Sequence, residues 1–137
     1  MPQTCRMVLD DSKEKFDPNT FPFVKDLHVS SNSNWNSIFL LMKLNSTPTS
    51  CDFRRNAIGA MFASSIGAAL KVNTSLTSIY LGGNVIDDAG AFSIGEVLKV
   101  NYFLTSISLF GNRIGDNQKS SFHEAMKVNS VLTSMRL

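Results

Sequence analysis

The phrase LKVNTSLTS occupies residues 70–78, LKVNYFLTS residues 98–106 and MKVNSVLTS residues 126–134, each starting 28 positions after the one before. A weaker copy, MKLNSTPTS, begins another 28 positions upstream, at Met42. Self-similarity at one fixed period is the mark of an array. Each unit repeats one supersecondary motif and buries its apolar face on its neighbours.

Aligned on the residue before Thr-Ser, the units begin at Pro48, Leu76, Leu104 and Leu132. Leu76, Ile79, Leu81, Asn84 and Ile86 recur as Leu104, Ile107, Leu109, Asn112 and Ile114, and as Pro48, Cys51, Phe53, Asn56 and Ile58. The alternating part reads as a short strand with one buried face, and the Asn marks the turn out of it. The second half of each unit changes period. Ala91, Ile94, Val97 and Leu98 form a helical stripe, repeated by Ala63, Ile66, Ala69 and Leu70 and by Lys119, Phe122, Ala125 and Met126. Asp88 and Asp116 stand where a carboxylate can cap each helix, and Lys71, Lys99 and Lys127 lie in the last turns. Asn73, Asn101 and Asn129 follow, at a position where helices often end in a left-handed residue.

A shorter first unit fits the same pattern through Val24, Leu27, Val29 and Asn32, with NWNSIFLLMKLN as its helix. Residues 1–20 show no repeat and are expected to form a tail or cap. The repeat domain then spans 21–137, with units 24–47, 48–75, 76–103 and 104–131 and a terminal strand at 132–137.

The consensus L-x-x-L-x-L-x-x-N-x-I and the helical 28-residue unit resemble leucine-rich repeats of the ribonuclease-inhibitor type. Repeats of this type also occur in NOD-like receptors and Ran GTPase-activating proteins; LTSIYLGGNVIDDAGAFSIGEVLKVN carries the likeness most clearly. The resemblance implies an α/β fold, a curved βα solenoid with parallel strands on the concave face and helices on the convex face. It also implies protein–protein recognition through the concave strands and adjacent turns. Departures occur at Gly90, replaced by Phe62 and Gln118 in the neighbouring units, and at Ala91, replaced by Lys119. The chain has no G-x-x-x-x-G-K-[ST] phosphate loop, so it is not a whole NOD-like receptor. LTSMRL completes a strand without a following helix, which fits a truncated piece of a larger repeat protein or self-association through 132–137.

Thirteen basic and eleven acidic residues leave a formal charge of +2, too little to argue for nucleic acid or a membrane surface. The first 17 residues lack the apolar run of a signal peptide, and IFLLM is too short to span a bilayer. Cys5 and Cys51 have neither metal spacing nor a disulfide framework. These features point to a cytoplasmic protein, in which the sequons at Asn45 and Asn73 are unused. No cofactor or metal is implied: His123-Glu124 lacks a second His, and no nucleophile–base pair can be named. An enzyme is therefore not expected.

The regular Asn positions (32, 56, 84 and 112) are expected to satisfy backbone groups of neighbouring turns, and the Lys row (43, 71, 99 and 127) to follow helix dipoles. The paired Thr and Ser at 49/50, 77/78, 105/106 and 133/134 read as a solvated polar rim. Positions that the core does not dictate carry more information. Between the apolar strand residues lie His28, Asp52, Tyr80, Ser108 and Arg136; Arg54, Arg55 and Phe110 follow the strands. Exposed aromatics beside arginines have the composition of an interface hot spot. The expected partner-binding residues are Asp52, Arg54, Arg55, Tyr80, Phe110 and Arg136, facing a protein or peptide. By family analogy, a GTPase regulator of the Ran GTPase-activating type is the alternative, with Arg54 or Arg55 as its test.

Overall fold

The computed structural model describes residues 5–9, 24–29, 42–43 and 49–137, the first two segments by their backbone. Six strands, β1 (Cys5–Leu9), β2 (Val24–Val29), β3 (Ser50–Asp52), β4 (Ser78–Tyr80), β5 (Ser106–Ser108) and β6 (Ser134–Arg136), form one parallel sheet in sequence order. Parallel neighbours need a crossover, and helices α1 (Ala60–Val72), α2 (Asp88–Leu98) and α3 (Asp116–Val128) supply it between β3 and β6. The result is a curved βα solenoid. β1 lies within the segment expected to be a tail or cap, so that segment adds a strand which no repeat announces. Asn32, Asn45, Pro48 and the expected helix before Asn45 lie outside the described residues, except Met42 and Lys43, which are helical.

The register turns the period into rows. Cys51, Ile79, Ile107 and Met135 are paired neighbours, and the first three are buried. Behind them lie Phe53, Leu81 and Leu109, then Ile58, Ile86 and Ile114, then the helix row Ile66, Ile94 and Phe122, all buried. Each large side chain removed from water contributes roughly 1.5–3 kcal/mol, and every row spans several units, so no unit closes its core alone. Lys119 stands where Ala63 and Ala91 are buried, and α3 accordingly buries only Phe122 and Ala125.

Two ladders of buried asparagine join the units. In the first, Asn84 Oδ1 accepts from the Asn56 and Ile58 amides (2.8 and 3.1 Å), while its Nδ2 donates to the Phe53 and Leu81 carbonyls (3.0 and 2.8 Å). Asn112 repeats this on Ile86, Leu81 and Leu109. The second ladder corrects an expectation. Asn73 and Asn129 are not left-handed; their φ/ψ values of −74/131° and −96/104° are extended. The side chains are turned inward instead. Nδ2 of Asn73, Asn101 and Asn129 donates to the carbonyls of Met42, Leu70 and Leu98 at 2.6–2.7 Å, each 31 residues back in the preceding unit. Each Oδ1 accepts from the amides two and three residues on. Carbonyls at a helix C-terminus have no partner within their own helix, and this ladder supplies one from the next repeat.

The capping aspartate is also displaced by one residue. Asp87 caps α2, accepting from the Gly90 amide at 3.1 Å, whereas Asp88 reaches across to accept from the Gly115 amide at 2.7 Å. The caps of α1 and α3 are Gly59 and Gly115, with no side-chain bond, so Asp116 lies in the first turn. The Thr rim is not merely solvated. Hydroxyls of Thr77, Thr105 and Thr133 donate to the Thr49, Thr77 and Thr105 carbonyls. In the Lys row, Lys99 and Lys127 pair with Glu96 and Glu124 one turn earlier, at the surface.

Candidate partner-binding site

Residues between the two apolar positions of each strand face away from the core. Asp52, Tyr80, Ser108 and Arg136 are consecutive partners across β3–β6, and the His28 backbone continues the row into β2. The turns after β3, β4 and β5 carry a second row, Arg54, Gly82 and Phe110, and a third, Arg55, Gly83 and Gly111. These residues border an open groove of about 960 Å³. All six expected partner-binding residues line it.

Two arginine–aromatic stacks stand at its ends. The Arg54 guanidinium lies 5.6 Å from the Tyr80 ring centroid, and that of Arg136 lies 4.5 Å from the Phe110 centroid. Both distances suit a cation–π contact. Each stack joins a turn residue to a strand residue 26 positions later, with the roles exchanged: Arg on the turn and Tyr on the strand, then Phe on the turn and Arg on the strand. Composition groups these residues without pairing them; the shared spacing of 26 is the sequence signal for the pairs. Tyr80 remains 36% exposed and Phe110 55%, so both rings have area left for a partner.

The two arginines differ in what they have left to give. Arg54 spends its edge on Asp52, donating from Nε at 2.9 Å and from a terminal nitrogen at 2.7 Å. That hydrogen bond, then the Asp52 charge, raises the Arg54 pKa, and the group stays cationic. Arg136 is exposed, lies over the Phe110 ring and has no ion pair among the described residues.

Between the stacks the lining is small: Gly82, Gly83, Ser106, Ser108 and Gly111. Gly83 and Gly111 have φ of +68° and +75°, and Arg55, at the same place in the preceding turn, has φ +59°. Turn hydrogen bonds hold the conformation, from the Arg55 amide to Gly82 O (3.1 Å) and from the Gly83 amide to Phe110 O (2.8 Å). A left-handed arginine costs roughly 1–2 kcal/mol, partly offset by the greater chain entropy glycine loses on folding. Arg55→Gly is therefore expected to raise stability by about 0.5–1 kcal/mol, read as a small upward shift of the urea midpoint. A lower midpoint would show that the Arg55 side chain stabilises the turn more than its backbone strains it.

Among the described residues no cluster of three His, Cys, Asp or Glu could hold a metal, and no helix is long and apolar enough to cross a membrane.

A parallel βα solenoid with an asparagine ladder in each turn defines a repeat scaffold. The fold is that of a leucine-rich repeat solenoid, and the leucine-rich repeat family model matches residues 72–95 and 100–117. The 28-residue helical unit fits the ribonuclease-inhibitor type. Among solved structures, actin-binding site 2 of leiomodin-1 superposes with a TM-score of 0.79 at 20% identity, covering 87% of this chain and 73% of that one. The tropomodulin C-terminal domain of Caenorhabditis elegans superposes with a TM-score of 0.72 at 13% identity, covering 85% and 74%. No curated protein matches.

Proposed function

We propose that the chain is a non-catalytic protein-binding module that engages its partner through the concave strand row and the turns after β3–β5. The observation that carries this reading is the pair of exposed Arg–aromatic stacks flanking a small-residue groove. Rigid aromatics and arginine give much contact area for little lost freedom, and they dominate interface energetics. The solenoid fixes their spacing, so little order remains to be imposed on binding. A cytoplasmic setting belongs to this proposal. The Asn73 sequon supports it, because the Asn73 Nδ2 is buried and bonded to Met42 O, and a glycan there is incompatible with the ladder.

The test is a peptide-display selection on the folded chain, followed by affinity measurement on variants. Tyr80→Ala with Phe110→Ala should weaken the selected peptides by tenfold or more, since each lost anchor costs about 1–2 kcal/mol. Phe92→Ala, an exposed aromatic on α2, should leave them unchanged. The reverse pattern would place recognition on the helices and overturn the reading. Leiomodin-1 makes purified actin a defined ligand to include in the same measurement.

A further inference from the structure

The distribution of charge narrows the partner. Residues 1–48 hold five basic and five acidic side chains, and residues 49–137 hold eight and six. The groove accounts for Arg54, Arg55, Arg136 and Asp52, which leaves five of each sign on the rest of 49–137. The net charge of +2 on residues 49–137 thus equals that of the groove-lining residues. No carboxylate among the described residues pairs with Arg55 or Arg136.

Resting on the reading of this face as a partner-binding site, we propose that its ligand is an extended acidic segment, with carboxylates seated on Arg136 and Arg55. Arg136 lies exposed over the Phe110 ring, and a guanidinium stacked on an aromatic face keeps its N–H edge free to receive a carboxylate through two parallel hydrogen bonds. The glycines and serines between the ends leave room for a backbone to pass close to the sheet. β3 and β6 are three strand spacings apart, roughly 14 Å, which an extended chain covers in about four residues. Side chains four apart in an extended segment point the same way, so two acidic residues at that spacing reach both ends. Asp52 sets the strength of the site by closing the edge of Arg54.

The experiment uses fluorescence anisotropy with a labelled Ser/Gly peptide carrying two Glu four residues apart. Its Gln and Lys counterparts and an oligouridylate are measured beside it. The Glu peptide should bind about fivefold or more tighter than the Gln peptide, with the advantage shrinking as salt is raised. Arg136→Gln and Arg55→Gln should each remove most of that advantage, while Lys71→Gln leaves it intact. Asp52→Asn should strengthen binding several-fold by releasing Arg54, and adding Arg54→Gln should cancel the gain. That gain is one that damage to the fold would not produce. Equal binding of the Gln or Lys peptide, no binding at all, weaker binding by Asp52→Asn with a normal melt, or tighter binding of the oligouridylate would each overturn the acidic ligand. Display-selected peptides that depend on Tyr80 and Phe110 but carry no acidic pair would overturn it while leaving the binding module standing. Loss of that dependence would remove both.

Discussion

Asn84→Ala is expected to lower stability by about 3–5 kcal/mol, because it strips hydrogen bonds from buried backbone groups of two turns at once. The amide sits 5% exposed. It accepts from two amides of the preceding unit and donates to one carbonyl there and one in its own unit. The Leu81 carbonyl keeps the Asn112 amide as a second donor, so the main losses fall on the Asn56 and Ile58 amides and the Phe53 carbonyl. Each buried group deprived of its partner costs roughly 1–3 kcal/mol, and a domain has only about 5–15 kcal/mol in total. The melting temperature should therefore fall by roughly 10 °C or more. Asn84→Asp keeps the acceptor but cannot donate, and it buries a charge, so it should be no milder. An Asn84→Ala melt superimposable on that of the parent would show that the ladder does not hold the turns. Because the solenoid is coupled only between neighbours, the loss should also decouple the unit containing β3 from the rest. A broadened or two-step urea transition would report this.

The rows of the sheet were legible because two periods compound. Alternation by two separates the core residues Cys51, Ile79 and Ile107 from the outward row Asp52, Tyr80, Ser108 and Arg136, and the 28-residue register lines each row up. What was not legible depends on groups in another unit. An Asn after a helix suits a left-handed end, and nothing local reveals that Asn73, Asn101 and Asn129 are instead drawn inward by carbonyls 31 residues back. Asp87 and Asp88 are adjacent, and which one caps α2 turns on a single residue of helix start, together with the Gly115 amide that claims Asp88. The stacks fall between these cases. Their composition was visible, but the pairing runs along a diagonal between a turn and the next strand, which the period of 28 conceals.

The same contrast between local and inter-unit control gives a test at Gly90, where local preference and packing oppose each other. Glycine inside a helix is about 1 kcal/mol worse than alanine, so propensity alone favours a replacement. The position is closed. A Cβ on Gly90 would lie 2.9 Å from Ala63 Cβ, 3.0 Å from Ala60 Cα and 3.2 Å from Ile86 Cγ2, and the Ala60 atom is backbone that cannot swing aside. Overpacking of this kind costs about 1–3 kcal/mol, and a branched side chain adds further atoms to the same overlap. Gly90→Val should therefore lose about 3 kcal/mol, and Gly90→Ala about 1 kcal/mol after its gain in propensity. Gly95 is the internal control, on the same helix and also buried. There a Cβ would meet Gln118 Nε2 at 3.5 Å and Phe122 Cε1 at 3.6 Å, ordinary contact distances. Gly95→Ala should then gain about 0.5–1 kcal/mol. Opposite signs at two glycines five residues apart in one helix would locate the α1–α2 approach at Gly90; equal signs would mean that the helices are free to separate there.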